Sequence, residues 1–354
     1  MLLIMKPVKV SFEDSIAKAV VEAGKCVGCG TCVLVCPFKC LEYADEKPNL
    51  IKECKVCGIC AQACPQYEFP LSTIENLVFS RGRKAEEAFG VYRKLVLARA
   101  VDSQILNVCQ DGGAVTALLL YALKNGFIDG AIVAKSEREK PFYPRPTLAT
   151  TAEEILQSAG TKYFYSPNIL AIAKIVEQKK GSVAFVGTPC QIRAVRKLQL
   201  VGLKKYVAPL KLLIGLACSE CFIYEGLMEN HIRGRLGLNP NSIRKINIKG
   251  KMLVNLDSGT VAIPLAEAKQ YARKSCHFCE DFSSELADIS VGGLGLEGWT
   301  FVIIRTEKGE ELFTSAEKAG AITTKKDASL EQNALNLLIK LSTKKQATAR
   351  GATK

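Results

Sequence analysis

The chain has 354 residues, enough for a small domain and a large one that each bury a core. Its 48 Lys and Arg outnumber 35 Asp and Glu, and the resulting formal net charge of +13 suits an anionic coenzyme, an acidic redox partner or nucleic acid. No uncharged apolar run reaches the about 18 residues of a membrane span, and Met1–Val10 lacks the apolar core and cleavage site of a secretory signal, so a cytoplasmic protein is expected, at most peripheral on a membrane complex.

Glu13–Ala23 reads as a short amphipathic helix with Ile16, Ala17, Val20 and Val21 on its apolar side. Two cysteine runs follow. Cys26, Cys29, Cys32 and Cys36 precede Pro37, and Cys54, Cys57, Cys60 and Cys64 precede Pro65. Both show the C-x2-C-x2-C-x3-C-P spacing of bacterial two-cluster ferredoxins, in which the fourth Cys of each run ligates the other cluster. Cys26, Cys29, Cys32 and Cys64 are therefore expected to hold one [4Fe–4S] cluster, and Cys54, Cys57, Cys60 and Cys36 the second. A tetrahedral zinc site takes its ligands from paired C-x2-C units and has no use for the third and fourth Cys of each run. Gly28, Gly30 and Gly58 let the backbone wrap closely between ligands. Cys40, just beyond the first run, reads as an unligated buried thiol.

Composition shifts after Pro70. The charged stretch Ser80–Glu87 reads as a solvated face, and residues 71–91 as a linker between a 1–70 cluster domain and a 92–341 domain. In the large domain, Tyr92–Ala100 is a strand, and Asp111-Gly112-Gly113 turns into a helix over Ala117–Leu123 whose N-terminal N–H groups suit a phosphate or a flavin edge. Gly130–Ala134 is a strand that completes a β-α-β step. Ala171–Glu177 is a helix. Ser182–Val186 is a buried strand that leads to Gly187-Thr188-Pro189-Cys190-Gln191 and a helix over Ile192–Leu198. Leu212–Leu216 is another strand and ends at Cys218 and Cys221, so two cysteine-bearing loops follow strand C-termini, where open α/β sheets place ligands. Ile243–Ile248 and Lys251–Leu256 form a hairpin at Gly250. Trp299–Arg305 and Glu311–Thr314 are expected to pair around Gly309, Leu330–Leu341 to form a last helix, and the Lys-, Thr- and Ala-rich tail 342–354 to be disordered. The fold class is α+β or mixed α/β.

The pair Cys276 and Cys279 is a C-x2-C unit, which alone fits a zinc half-site or a redox dithiol. The strand-end positions of Cys190 and Cys218 favour convergence with it in a third metal centre.

Several unusual phrases occur in order: Asp111–Leu123, Gly126–Val133, Lys162–Pro167, Val183–Leu198, Gly215–Leu227, Lys251–Val254, Cys276–Gly293 and Gly298–Gly309. Over roughly residues 90–315 the chain thereby resembles the coenzyme F420 hydrogenase and dehydrogenase beta-subunit family, and its N-terminal module is similar to that of the family's longer members. The resemblance implies FAD in the large domain, coenzyme F420 as substrate, and a third [4Fe–4S] cluster on Cys190, Cys218, Cys276 and Cys279, with Cys221 as a competing thiol. Candidate FAD and F420 contacts are Asp111, Gly112, Gly113 and Thr116; Lys162; Gly187, Thr188, Pro189, Gln191 and Arg193; and Ser290, Gly292 and Gly293. No side chain is assigned as a catalytic acid or base, because hydride chemistry belongs to the cofactors.

The implied path runs from F420H2 to FAD, to the large-domain cluster, to the two N-terminal clusters and to a partner. That partner is an F420H2 dehydrogenase, formate dehydrogenase, hydrogenase or heterodisulfide-reductase type of complex, or ferredoxin. F420 is strongly anionic, so the basic charge favours its encounter; Lys162, Arg193, Arg196 and Lys197 are local contributors or, individually, solvated surface charges. The competing readings are a ferredoxin-dependent flavin reductase with another organic substrate, and an electron relay without flavin. The motifs give no support to nucleic-acid binding.

Overall fold

The computed structural model describes residues 9–352. Residues 1–8, which form most of the segment read above for a secretory signal, and the last two tail residues lie outside the described residues.

The N-terminal module has near-twofold internal similarity. A helix over Glu13–Glu22, wound with five-residue hydrogen-bond spacing (Ala17 N–H to Phe12 O, 2.9 Å), lays Ile16 and Val20 into the module core. Each cysteine run then makes one short helix, Thr31–Val35 and Ile59–Ala63. Each helix is entered through a glycine in the left-handed region, Gly30 at φ 78° and Gly58 at φ 70°, which a side chain would strain. Between the runs, β1 (Leu41–Ala44) and β2 (Lys47–Leu50) form a tight antiparallel hairpin.

The connecting segment is not a linker in the physical sense. Leu71–Phe79 is a helix, with Ile74 and Glu75 buried. The charged stretch 80–87 is solvated only in part: Ser80, Lys84, Ala85 and Glu86 are exposed, but Arg83 Nε lies 2.5 Å from Glu75 Oε1 and its Nη2 2.6 Å from Glu285 Oε2, and both carboxylates are buried. Buried charges persist only when paired, and here the pairing ties the segment to the large domain.

The large domain is built on β3 (Lys94–Ala100), β4 (Gly130–Ser136), β5 (Pro144–Ala149), β6 (Val183–Gly187) and β7 (Leu210–Leu216), with β8 (Ile243–Lys249), β9 (Lys251–Leu256) and β10 (Gly259–Pro264) in a separate three-stranded sheet, then β11 (Ile289–Gly292), β12 (Thr300–Ile304) and β13 (Ile322–Lys325). The eight-stranded sheet has the order β13-β3-β12-β11-β7-β6-β4-β5. Its centre, β11-β7-β6-β4, is parallel and continuously apolar, as expected of strands covered on both faces. The β-α-β step read from the sequence is a wide crossover: four strands separate β3 from β4.

Two expectations are corrected here. Glu311–Thr314 is not a strand but part of a helix over Glu307–Lys318, started by Thr306 Oγ1 accepting the Gly309 N–H, and β12 pairs instead with β11 and β3. Leu312, Phe313 and Ala316 are buried at helical spacing. The tail is not disordered: one helix runs from Ala328 to Ala352 and buries Leu338, Ser342 and Ala349. Among the described residues no helix is long and apolar enough to cross a membrane.

The two parts share apolar packing. Val27 and Cys29 belong to a cluster with Ile169, Ile192 and Val195, and Val35 and Ala63 pack with Leu198 and Val207.

Candidate functional site

Eight cysteines of the N-terminal module ring two cavities. The inner one is lined by Cys26, Cys29 and Cys32 of the first run and Cys64 of the second. The outer one is lined by Cys54, Cys57 and Cys60 of the second run and Cys36 of the first, with Cys40 also at its wall. The exchange of fourth cysteines arises because each short helix ends by turning its last Cys toward the facing helix. Among the described residues no three His, Cys, Asp or Glu side chains converge closely enough to hold a single ion; the thiols surround a volume instead. Thiol-only donor sets around a volume of this kind fit a cubane iron–sulfur cluster. Several sulfurs already have donors: Phe12 N–H to Cys54 Sγ at 3.4 Å, Cys40 N–H to Cys36 Sγ at 3.2 Å, and Thr31 Oγ1 against Cys29 Sγ at 3.1 Å. Burial pushes the thiol of Cys29 up to about 11 and those of Cys60 and Cys64 up to about 12, so metal charge is what these sites need to keep them ionised. Cys40 is buried and its thiol donates to Glu53 O at 3.2 Å.

In the large domain Cys190 and Cys218 lie just beyond the C-terminal ends of β6 and β7, and the 3-10 turn Lys274–Phe278 carries Cys276 with Cys279 directly after it. Besides burial, Cys279, Cys218 and Cys276 together raise the Cys190 thiol, which is the electrostatic mark of four sulfurs in one place. Cys221 joins them: its Sγ is 3.9 Å from Cys218 Sγ and its N–H points at Cys276 Sγ at 3.4 Å. Hydrogen bonding from Cys221 lowers Cys218 to about 7. Thr188 Oγ1 stands 3.2 Å from Cys190 Sγ. This donor set also fits a cubane, with one thiol to spare.

The candidate flavin residues divide into two groups. Asp111, Gly112, Gly113 and Gly293 meet at the sheet edge where β3 and β11 end: a Cβ on Gly293 would strike the Asp111 carboxylate, and one on Gly112 would come within 2.6 Å of Ala98 O and Thr300 N. Gly113, at φ 74°, opens the helix Ala114–Lys124, which buries Thr116. Gly292 abuts Ala217, one residue before Cys218, so this edge adjoins the third thiol group. Burial raises the Asp111 carboxyl, and Lys245 and Lys249 of β8 oppose it. Lys245 Nζ reaches Gln110 O at 2.5 Å and Cys109 O at 3.1 Å. A helix N-terminus, bare glycine backbone and two lysines are chemically suited to a dinucleotide diphosphate.

The second group is occupied with holding the fold. Lys162 donates to Ser158, Ala159 and Gly160 carbonyls at 2.6, 2.8 and 3.2 Å. Gln191 donates to Ser166 O and accepts the Thr188 N–H at 3.0 Å, which fixes Gly187, Thr188 and Pro189 at the start of the helix Pro189–Leu200. Ser290 donates to Ser284 O and accepts from Arg305 Nε at 2.7 Å. The guanidinium of Arg193 stacks 4.0 Å from the Phe69 ring. Arg196 and Lys197 are not solvated surface charges: Arg196 is buried against Asp288 at 2.9 Å, and buried Lys197 donates to Cys64 O at 2.6 Å and to Tyr67 O.

Three residues escaped the sequence reading because their partners are remote. Tyr165 is buried and its hydroxyl has no hydrogen-bond partner among the described residues; after burial, Cys190, Cys29 and Tyr43 push it well above its ordinary value. Arg273 stacks on the Tyr165 ring at 4.2 Å and pairs with Glu46 of the β1–β2 turn at 2.7 Å. Lys345, in the tail helix, donates to Cys218 O at 2.6 Å and Ser219 O at 2.7 Å, and burial notwithstanding, Cys279, Cys218 and Cys276 hold its ammonium above the ordinary lysine range.

Comparisons with known proteins agree with the layout. Residues 95–173 match the family described as the N-terminal part of the coenzyme F420 hydrogenase/dehydrogenase beta subunit, residues 180–329 match the family described as its C-terminal part, and residues 19–42 match a 4Fe–4S binding domain. The coenzyme F420 hydrogenase subunit beta of Methanothermobacter thermautotrophicus is 40% identical over 73% of this chain and 93% of that protein. The coenzyme F420-dependent sulfite reductase of Methanocaldococcus jannaschii is 37% identical over 88% of this chain but 49% of its own length. A chain of the F420-reducing [NiFe] hydrogenase complex from Methanosarcina barkeri, 36% identical, superposes with a TM-score of 0.71 over 76% of this chain and 94% of that one.

Proposed function

The chain belongs to the coenzyme F420 hydrogenase/dehydrogenase beta-subunit family, and from that membership we propose that it is a cytoplasmic iron–sulfur flavoprotein subunit that exchanges hydride with coenzyme F420 and passes single electrons to a partner redox enzyme. Three [4Fe–4S] clusters are assigned: one on Cys26, Cys29, Cys32 and Cys64, one on Cys36, Cys54, Cys57 and Cys60, and one on Cys190, Cys218, Cys276 and Cys279. The observation that carries the reading is the exchange of fourth cysteines between the two cavities, which no zinc half-site calls for. When bound, FAD supplies the conversion between a two-electron hydride and single electrons.

The chain's own residues bind and position. The Asp111–Gly113 turn and Gly293 offer backbone to a diphosphate, and Lys245 and Lys249 lend it positive charge. Tyr165 and Arg273 fill the space between Cys190 and the inner cavity and exclude water from it. Amide and hydroxyl donors to sulfur stabilise added negative charge on a cluster and so raise its potential.

Anaerobically purified protein is expected to contain about twelve iron atoms and no zinc, the sum of three four-iron clusters, and to release a yellow flavin on denaturation that F420H2 bleaches in the native protein. Iron near eight with zinc present removes the third cluster; a colourless supernatant leaves an electron relay without flavin.

A further inference from the structure

We propose that the mouth of the outer cavity is the docking face for an electron-carrying protein with an acidic surface; this rests on the assignment of a cluster to that cavity. The inner cavity is flanked by the large domain: a Cβ on Gly28 would meet Arg273 Nη2 at 2.6 Å, one on Gly30 would meet Leu170 at 2.6 Å, and Lys197 donates to the Cys64 carbonyl. The outer cavity is lined wholly by residues of the N-terminal module. Around it the chain leaves large apolar side chains in solvent: Phe38 is 47%, Ile51 54% and Val56 45% exposed. Phe38 lines the cavity itself, and Ile51 is tied to the same loop by its N–H bond to Cys40 O at 2.9 Å. Val56, between Cys54 and Cys57, sits at φ 51°, a conformation a β-branched residue rarely adopts. An exposed apolar side chain held in a strained conformation beside a redox site is the kind of feature that folding alone does not select.

The rim is basic. Lys39, Lys52 and Lys55 are exposed, and Glu53 pairs with Lys55 at 2.7 Å, which leaves the face positive. An apolar centre with a charged rim matches the anatomy of protein interfaces, and a uniform charge sign speeds encounter with a partner of opposite sign. The transfer itself makes and breaks no bond: the reduced outer centre loses one electron and the partner's centre gains it.

The test uses the full chain, reconstituted anaerobically, reduced with dithionite, desalted, and mixed rapidly with an acidic two-cluster bacterial ferredoxin or, as the opposite-charge probe, basic cytochrome c. Iron content and paramagnetic resonance verify the outer centre in each variant. At low salt Lys39→Glu/Lys52→Glu is expected to slow ferredoxin reduction about tenfold and to speed cytochrome reduction, with both differences closing at high salt. Ile51→Ser is expected to slow ferredoxin reduction several-fold at every salt concentration. Unchanged ferredoxin rates in both variants, or equal slowing toward both probes, overturn the docking face while leaving the cluster assignment intact. A parent protein without the outer centre overturns that assignment and the docking face with it. Because the reductant is dithionite, neither outcome depends on F420 or flavin.

Discussion

Asp288 is buried at the N-terminal edge of β11 and accepts from Leu213 N–H at 2.7 Å and Thr306 Oγ1 at 3.0 Å, with Arg196 at 2.9 Å and Lys308 at 3.0 Å. Burial opposes its ionisation, but Arg196, Lys308 and the Leu213 amide outweigh burial and hold it below the usual carboxylate value of 3.8. Since the folded group is the stronger acid, its contribution is present above the unfolded value and is lost as pH falls through the folded one. Asp288→Asn should therefore cost about 3–5 kcal/mol at neutral pH in urea unfolding, because Arg196 keeps a buried charge without its partner, and the gap to the parent should begin to narrow below about pH 4 and shrink further as pH falls through the lowered folded value. None of this was legible in the sequence, where Arg196 and Asp288 are far apart. The eight N-terminal cysteines stood out because a ligand loop is local: its spacing is its geometry. Arg196 and Lys197 stood in the sequence only as basic charges, and Lys345 did not stand out at all, because charge density says nothing about which distant carbonyl or carboxylate a cation meets.

Among the elements, strands and helices with strong periodicity, such as β6, β7 and the β8–β9 hairpin, follow their sequence pattern closely. The tail helix does not advertise itself. Its apolar positions after Leu341 are few, and its stabilising contacts are polar: Lys345 to Cys218 O, and Gln346 to Ala88 O at 3.0 Å. If the tail merely trailed in solvent, a chain ending at Leu341 would behave like the parent. The helix predicts otherwise: this truncation should destabilise by about 1–3 kcal/mol, since the Cys218 and Ser219 carbonyls lose the Lys345 donor. The full-length Lys345→Met variant should lower the midpoint potential of the centre proposed on Cys190, Cys218, Cys276 and Cys279, because a cation beside the cysteines favours the reduced, more negative state. A redox titration followed by paramagnetic resonance reads the shift.

At the scale of the molecule, the composition break after Pro70 suggested two separable parts, and the packing argues against separation. Val27, Cys29, Val35 and Ala63 are buried against the large domain, Arg273 pairs with Glu46 of the module, and Arg83 of the connecting segment pairs with Glu285. A fragment starting near residue 92 should lose roughly 5 kcal/mol for the two or three equivalents of a buried aliphatic side chain it uncovers; dye binding by its exposed face and recovery when the N-terminal half is co-expressed would check this. The crossing of fourth cysteines also bears on how the protein is made. On the proposed ligand sets, all eight N-terminal cysteines are present once residue 64 has been synthesised, and neither set is complete before Cys60. The third thiol group waits for Cys279, and its lysine neighbour for the last helix. Synthesis thus presents the thiols in stages: both N-terminal sets leave the ribosome long before the third is whole.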